Sequence, residues 1–109
     1  MVENFFENIP DNSEEEIFTE IFKHRNIKVE RIVSTGQATP QGDDYNQDWD
    51  EWVLLLEGRA TLSFTDENRI FELTKGSHLF IPAGTRHRVE HTSSKPPAIW
   101  LALHINQPA

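Results

Sequence analysis

Gly76-Ser77-His78-Leu79-Phe80-Ile81-Pro82-Ala83-Gly84-Thr85-Arg86-His87, with His91 four residues further on, constrains the fold more than any other stretch. Gly76 can turn the chain through positive φ. Leu79-Phe80-Ile81 reads as a short apolar strand. Pro82-Ala83-Gly84 is a turn, because proline presets φ and glycine tolerates left-handed geometry. The residues after it, from Arg86 to Thr92, alternate as a strand does. On a regular strand 87, 89 and 91 share one face. The spacing therefore predicts that His87 and His91 aim into the same enclosed space.

The rest of the chain repeats this grammar. Lys28–Ser34, Glu51–Leu56, Ala60–Phe64, Ile70–Leu73 and Ala98–Ile105 read as short strands. Glu57-Gly58-Arg59, Thr65–Arg69 and Ser93–Pro97 are the turns between them. Glu51–Leu56 is apolar enough to read as buried on both faces. Residues 16–23 are ambiguous. Ile17/Ile21 and Phe18/Phe22 have helical spacing, and Ser13-x-x-Glu16 resembles a capping box. The same residues are β-branched and aromatic, and His24-Arg25-Asn26 makes a tight link to the next strand. A hairpin is the favoured reading. Eight or nine short strands in 109 residues predict one all-β domain, a jelly roll or barrel. Its core spans about 27–105, and 1–15 form an acidic extension. Residues 35–48, rich in Gly, Thr, Pro, Gln and Asp, are a long loop.

Charge and cysteine content narrow the function. Eighteen acidic residues against ten basic give a net charge of -8, which argues against general affinity for nucleic acid or anionic membranes. There is no cysteine, so any metal site must use nitrogen and oxygen donors. No apolar run approaches membrane-spanning length, and no basic segment followed by an apolar one opens the chain. The expectation is a cytoplasmic protein.

The Gly76–His87 stretch resembles the second signature motif of the cupin superfamily, small β-barrels that often hold a metal. The first cupin motif, G-x5-H-x-H-x3-4-E-x6-G, is half present. Glu51 is followed by six residues and Gly58, but the histidine positions fall on Tyr45 and Gln47, or on Asp44 and Asn46. The runs Thr39-Pro40, Tyr45-x-Gln47-Asp48-x-Asp50-Glu51-Trp52 and Pro82–Val89 are similar to those of a subgroup of small cupins that brings no established activity. The resemblance implies that Glu51 and His87 face the barrel interior.

Two readings of that interior stay open. Gln47, Glu51, His87 and His91 would hold a divalent metal (Mn, Fe, Ni or Zn), although an imidazole site wants three or four convergent donors. Alternatively, Glu51 and His87 hydrogen-bond within a polar pocket completed by Gln47 and Tyr45, with no metal. His104 is in register with Trp100 and Ala102 and would line the barrel mouth. His24 and His78 read as solvated. Arg86 and Arg88 lie opposite His87 and would pair with carboxylates such as Glu90 or Asp50. Asp43, Asp44, Asp48 and Asp50 read as a solvated loop, with Asp48 or Asp50 the candidates for an ordered carboxylate. Trp49, Trp52 and Trp100 are core or interface aromatics.

Function divides accordingly. Glu51 and His87 would serve as catalytic groups in dioxygenase or isomerase chemistry on a small oxygenated substrate. The alternative is a module that binds or senses a small molecule without chemistry. Phe5, Phe6, Phe18 and Phe22 offer a candidate homodimer surface.

Overall fold

The computed structural model describes residues 1–108, and apart from one short 3-10 turn at Thr65–Glu67 its regular elements are all strands. In chain order these are β1 (Ile17–His24), β2 (Ile27–Ser34), β3 (Asp50–Glu57), β4 (Ala60–Phe64), β5 (Arg69–Leu73), β6 (His78–Ile81), β7 (His87–Thr92) and β8 (Ala98–Ile105). They form two antiparallel sheets, β1-β2-β8-β3-β6 and β5-β4-β7. The sheets face each other as a jelly-roll barrel. No helix among the described residues is long and apolar enough to cross a membrane.

The ambiguous N-terminal segment is a strand. β1 pairs with β2, Phe18 opposite Ile32, with one register shift between Glu20 and Phe22, and Arg25 takes positive φ in the tight link. The capping-box reading fails because the Glu16 carboxylate accepts from the Ser34 hydroxyl across the hairpin rather than turning back on Ser13. Tertiary pairing thus overrides the helical spacing. β1 is the open edge of its sheet, and Phe18, Ile21 and Phe22 are exposed along it. In the extension, Phe5 and Glu7 direct their carbonyls to the buried Arg31 guanidinium, 3.1 and 2.7 Å away.

β3 is not buried on both faces. It alternates: Glu51, Val53 and Leu55 are buried, while Trp52, Leu54 and Leu56 are half-buried on the outer side. Gly58, at φ +82°, turns the chain where a Cβ would stand 2.6 Å from the Pro97 carbonyl oxygen, so only glycine fits. The inward residues Val53, Leu55, Leu62, Phe64, Leu73, Ile81 and Trp100 form one apolar core with Ala60, Ala98 and Ala102. That core fills one end of the barrel. The other end is open.

Candidate functional site

A cavity of about 460 Å³ occupies the open end. Strand alternation delivers its walls. His104 of β8 is paired with Lys28 of β2 on one side and with Glu51 of β3 on the other, so these three stand in one cross-strand row. Glu30 is one step further along β2 on the same face. His87 and Val89 come from β7 in the opposing sheet. Glu51, His87 and His104 are all more than nine-tenths buried.

The loop expected over 35–48 is laid along β7 as an irregular strand. Thr39 donates to the Val89 carbonyl at 2.8 Å. Tyr45 and His87 exchange backbone hydrogen bonds at 2.8 and 2.9 Å, and Gly84 donates to the Gln47 carbonyl at 2.7 Å. This path brings Tyr45, Gln47 and Trp49 onto the cavity. It also gives Asp44, expected to be solvated, a defined set of partners. Its carboxylate accepts from Thr65 Oγ1 at 2.6 Å and from Arg88 Nη1 at 2.9 Å. The Thr65 hydroxyl, then Arg88 and Arg86, hold the Asp44 carboxyl below the usual range against the opposing effect of burial. Arg88 also pairs with Glu90, as expected, while Asp50 instead accepts from the Ala83 backbone N–H and braces the Pro82–Gly84 turn.

Four side chains are fixed from behind. The His87 ring has a nitrogen, Nδ1, 2.8 Å from the Thr85 carbonyl. A carbonyl can only accept, so Nδ1 carries a hydrogen, and the nitrogen left for exchange with a ligand is Nε2. Tyr45 stacks on that ring, centroids 5.4 Å apart. Glu51 accepts a hydrogen bond from Gln47 Nε2 at 3.0 Å. Trp49 Nε1 donates to His104 Nδ1 at 3.0 Å, which forces the hydrogen of the neutral His104 onto Nε2, 3.0 Å from Glu30. Burial would raise the Glu30 carboxyl, but the bond from His104 and the ammonium of Lys28 hold it below its ordinary value.

Glu16 is the residue that sequence reasoning missed. It sits just before β1, lines the cavity and is held by Ser34, whose Oγ in turn accepts from Trp100 Nε1. Burial pushes its carboxyl up, with the Ser34 hydroxyl working the other way. Burial also raises the Tyr45 hydroxyl, reinforced by the charges of Glu16, Glu51 and Glu30. No sequence motif marks Glu16; only the pairing of β1 with β2 places it.

His91 does not join the site. β7 carries a bulge: Thr61 pairs with His91 but Leu62 pairs with Val89, so Glu90 is an extra residue. One inserted residue reverses the alternation beyond it. His91 is exposed on the outer surface beside Thr61 and Glu72, and Thr92 takes the inward position. His24 and His78 are exposed, His78 accepting from Trp52 Nε1 at 3.3 Å. Of the four expected metal donors, Gln47, Glu51 and His87 therefore converge and His91 does not. Gln47 points its amide N–H at Glu51, acting as a donor to the carboxylate. Among the described residues no three histidines or carboxylates gather as a metal-binding group. Glu51 and His87 are the two strong donors of the expected set, and Glu16, the further carboxylate on the cavity, is not gathered with them into the three or four a divalent ion needs from protein. The residues present do not fit a metal centre of that kind.

The family model described as "Cupin domain" matches residues 30–104, and the chain belongs to the cupin family. A crystal structure from Ralstonia eutropha JMP134, named "putative mannose-6-phosphate isomerase", is 35% identical. It superposes with a TM-score of 0.91 over 97% of this chain and 98% of that one. An RmlC-like cupin from Desulfovibrio desulfuricans superposes with a TM-score of 0.74 at 17% identity, over 100% and 98% of the two chains, which shows the shared fold. An uncharacterised protein of Methanocaldococcus jannaschii is 32% identical over 68 residues, 62% of this chain. The chain matches about half, 51%, of the length of that curated relative.

Proposed function

We propose that this cupin binds a small hydroxylated molecule in the barrel and moves a proton on it with Glu51 and His87, an isomerisation or epimerisation. One observation carries the reading. Two deeply buried acid–base groups are each anchored from behind, and each leaves one atom free toward the same cavity: the second oxygen of Glu51 and Nε2 of His87. Such a pair can take a proton from the carbon beside a carbonyl; isomerisation then returns a proton to the former carbonyl carbon while the hydroxyl proton passes to the carbonyl oxygen, and epimerisation returns it to the opposite face of the same carbon. The reaction needs no oxidant, reductant or co-substrate, because every atom lost is restored. A positioned acid or base contributes about 10²–10⁴-fold. Tyr45, kept protonated, offers a hydroxyl to a ligand oxygen.

The neighbour's name suggests a phosphorylated sugar, but the walls argue for one without phosphate. Lys28 is the single cation among the lining residues, and its charge is matched by Glu30 at 3.6 Å. Arg86 and Arg88 are not among the lining residues, and both are engaged with Asp44 at the cavity wall.

The test is proton exchange. The wild-type protein is incubated in heavy water with a panel of unphosphorylated aldoses and ketoses, and deuterium at the carbon beside the carbonyl is followed by NMR. Exchange is expected with at least one sugar, retained in EDTA, and lost in Glu51→Gln and His87→Asn. Sugar binding without any exchange would leave a non-catalytic binding module instead.

A further inference from the structure

The polar atoms left without a protein partner in the cavity are unequal in kind. The free oxygens of Glu16 and Glu51 and Nε2 of His87 are acceptors; the Tyr45 hydroxyl is a donor, the Lys28 ammonium is paired with Glu30 at 3.6 Å, and the Asn46 and Gln107 amides bring donors and acceptors alike. The other charges are matched: Glu30 has His104 and Lys28, and Asp44 has Arg88 and Arg86. Two carboxylates, Glu16 and Glu51, therefore face the cavity without a cation. An uncharged polyol brings as many acceptors as donors and would leave this set poorly matched. A protonated amine brings three donors and no acceptor, together with the missing positive charge.

We infer that Glu16 is a ligand-contacting residue, and that with Glu51 it selects a hydroxylated molecule carrying a protonated amine. This rests on the proposal above that the cavity takes a hydroxylated ligand. The orientation of Glu16 is well determined. Trp100 can only donate to Ser34 Oγ, so the single Ser34 hydrogen is directed at Glu16 Oε2, and Oε1 is left for the ligand. Tyr45 supplies an aromatic face at the mouth, where a cation is favoured over a neutral group. Burial raises the Glu16 carboxyl, and a bound cation would offset that by favouring its charged form.

A matched series tests this by titration calorimetry at neutral pH. Glucose, 6-amino-6-deoxyglucose and glucose 6-phosphate differ only at one carbon, as neutral, cation and anion. The amine is expected to bind about tenfold or more tightly than glucose, since hydrogen bonds between charged partners exceed neutral ones. The phosphate is expected to bind worst. In Glu16→Gln the preference for the amine should fall to about threefold or less. Should that variant fail to fold, Glu16→Asp draws the charge back by one methylene and should weaken the preference in part. Equal binding of amine and glucose, tighter binding of the phosphate, or an undiminished preference in the Glu16 variants would overturn the charge selection while leaving the hydroxylated-ligand reading standing. No binding by any of the three would overturn both.

Discussion

The two ends of the barrel are made from the same strands and come to opposite chemistry. On β3 the inward residues run Glu51, Val53, Leu55. On β8 they run His104, Ala102, Trp100, Ala98. Leu55 and Ala98 have no exposed surface, and Glu51 and His104 retain only 6% each. Burial is thus nearly equal while polarity reverses within two turns of the pleat. At the closed end the apolar side chains satisfy one another. At the open end every buried polar group needs a partner, and besides Glu30 and Ser34 of β2 the partners come from outside the strands: Gln47 and Trp49 from the loop, Thr85 from the β6–β7 turn. The comparison teaches that alternation decides which face is inside, whereas the segments crossing the barrel mouth decide whether that inside is core or site.

The largest expected effect lies at the closed end. Leu55→Ala removes a fully buried side chain from a packed core and should cost about 2–5 kcal/mol in urea unfolding. A cost below about 1 kcal/mol would mean that this end is loosely packed, and the contrast would collapse. Glu51→Leu probes the open end. Replacing a buried carboxylate by an apolar group of similar size should leave stability within about 1 kcal/mol of wild type, or raise it, while ligand binding is lost. Strong destabilisation would make Glu51 a structural group.

The smallest effect concerns the slope of stability with pH. The folded Glu16 carboxyl lies above its ordinary value of 4.5, so its stabilising contribution is complete below the unfolded value and is lost as pH rises through the folded one. Glu30 is displaced downward, so its contribution is present above the unfolded value and is lost as pH falls through the folded one. Glu16→Gln should therefore flatten the decline in melting temperature toward neutral pH and leave the acid side unchanged. An unaltered profile on the neutral side would show that Glu16 is well solvated.

How much of this was legible follows from the range of each interaction. The turn at Pro82–Gly84, the inward aim of His87 and the Glu51–Gly58 spacing are local, and the structure has them as read. His91 was misplaced because a bulge is a matter of register between two strands: β7 alternates cleanly as a sequence, and only its partner β4 reveals the extra residue at Glu90. The link between Trp49 and His104 spans 55 positions. The pairing of Asp44 with Arg88 spans 44. No periodicity encodes either. Glu16 was hidden for the same reason, and the helical spacing of its neighbours pointed elsewhere.

By itself the sequence determined an all-β jelly roll or barrel, because strand alternation, glycine turns and proline positions act over a few residues and admit few other folds, and its Gly76–His87 stretch carried the resemblance to the cupins. That resemblance, with strand alternation, also implied that Glu51 and His87 would face inward. The tertiary structure alone decided which polar groups are tied and which stay free. A hydrogen bond needs its partners within about 3 Å, and that proximity exists only after distant strands and the 35–49 loop have closed around the same space.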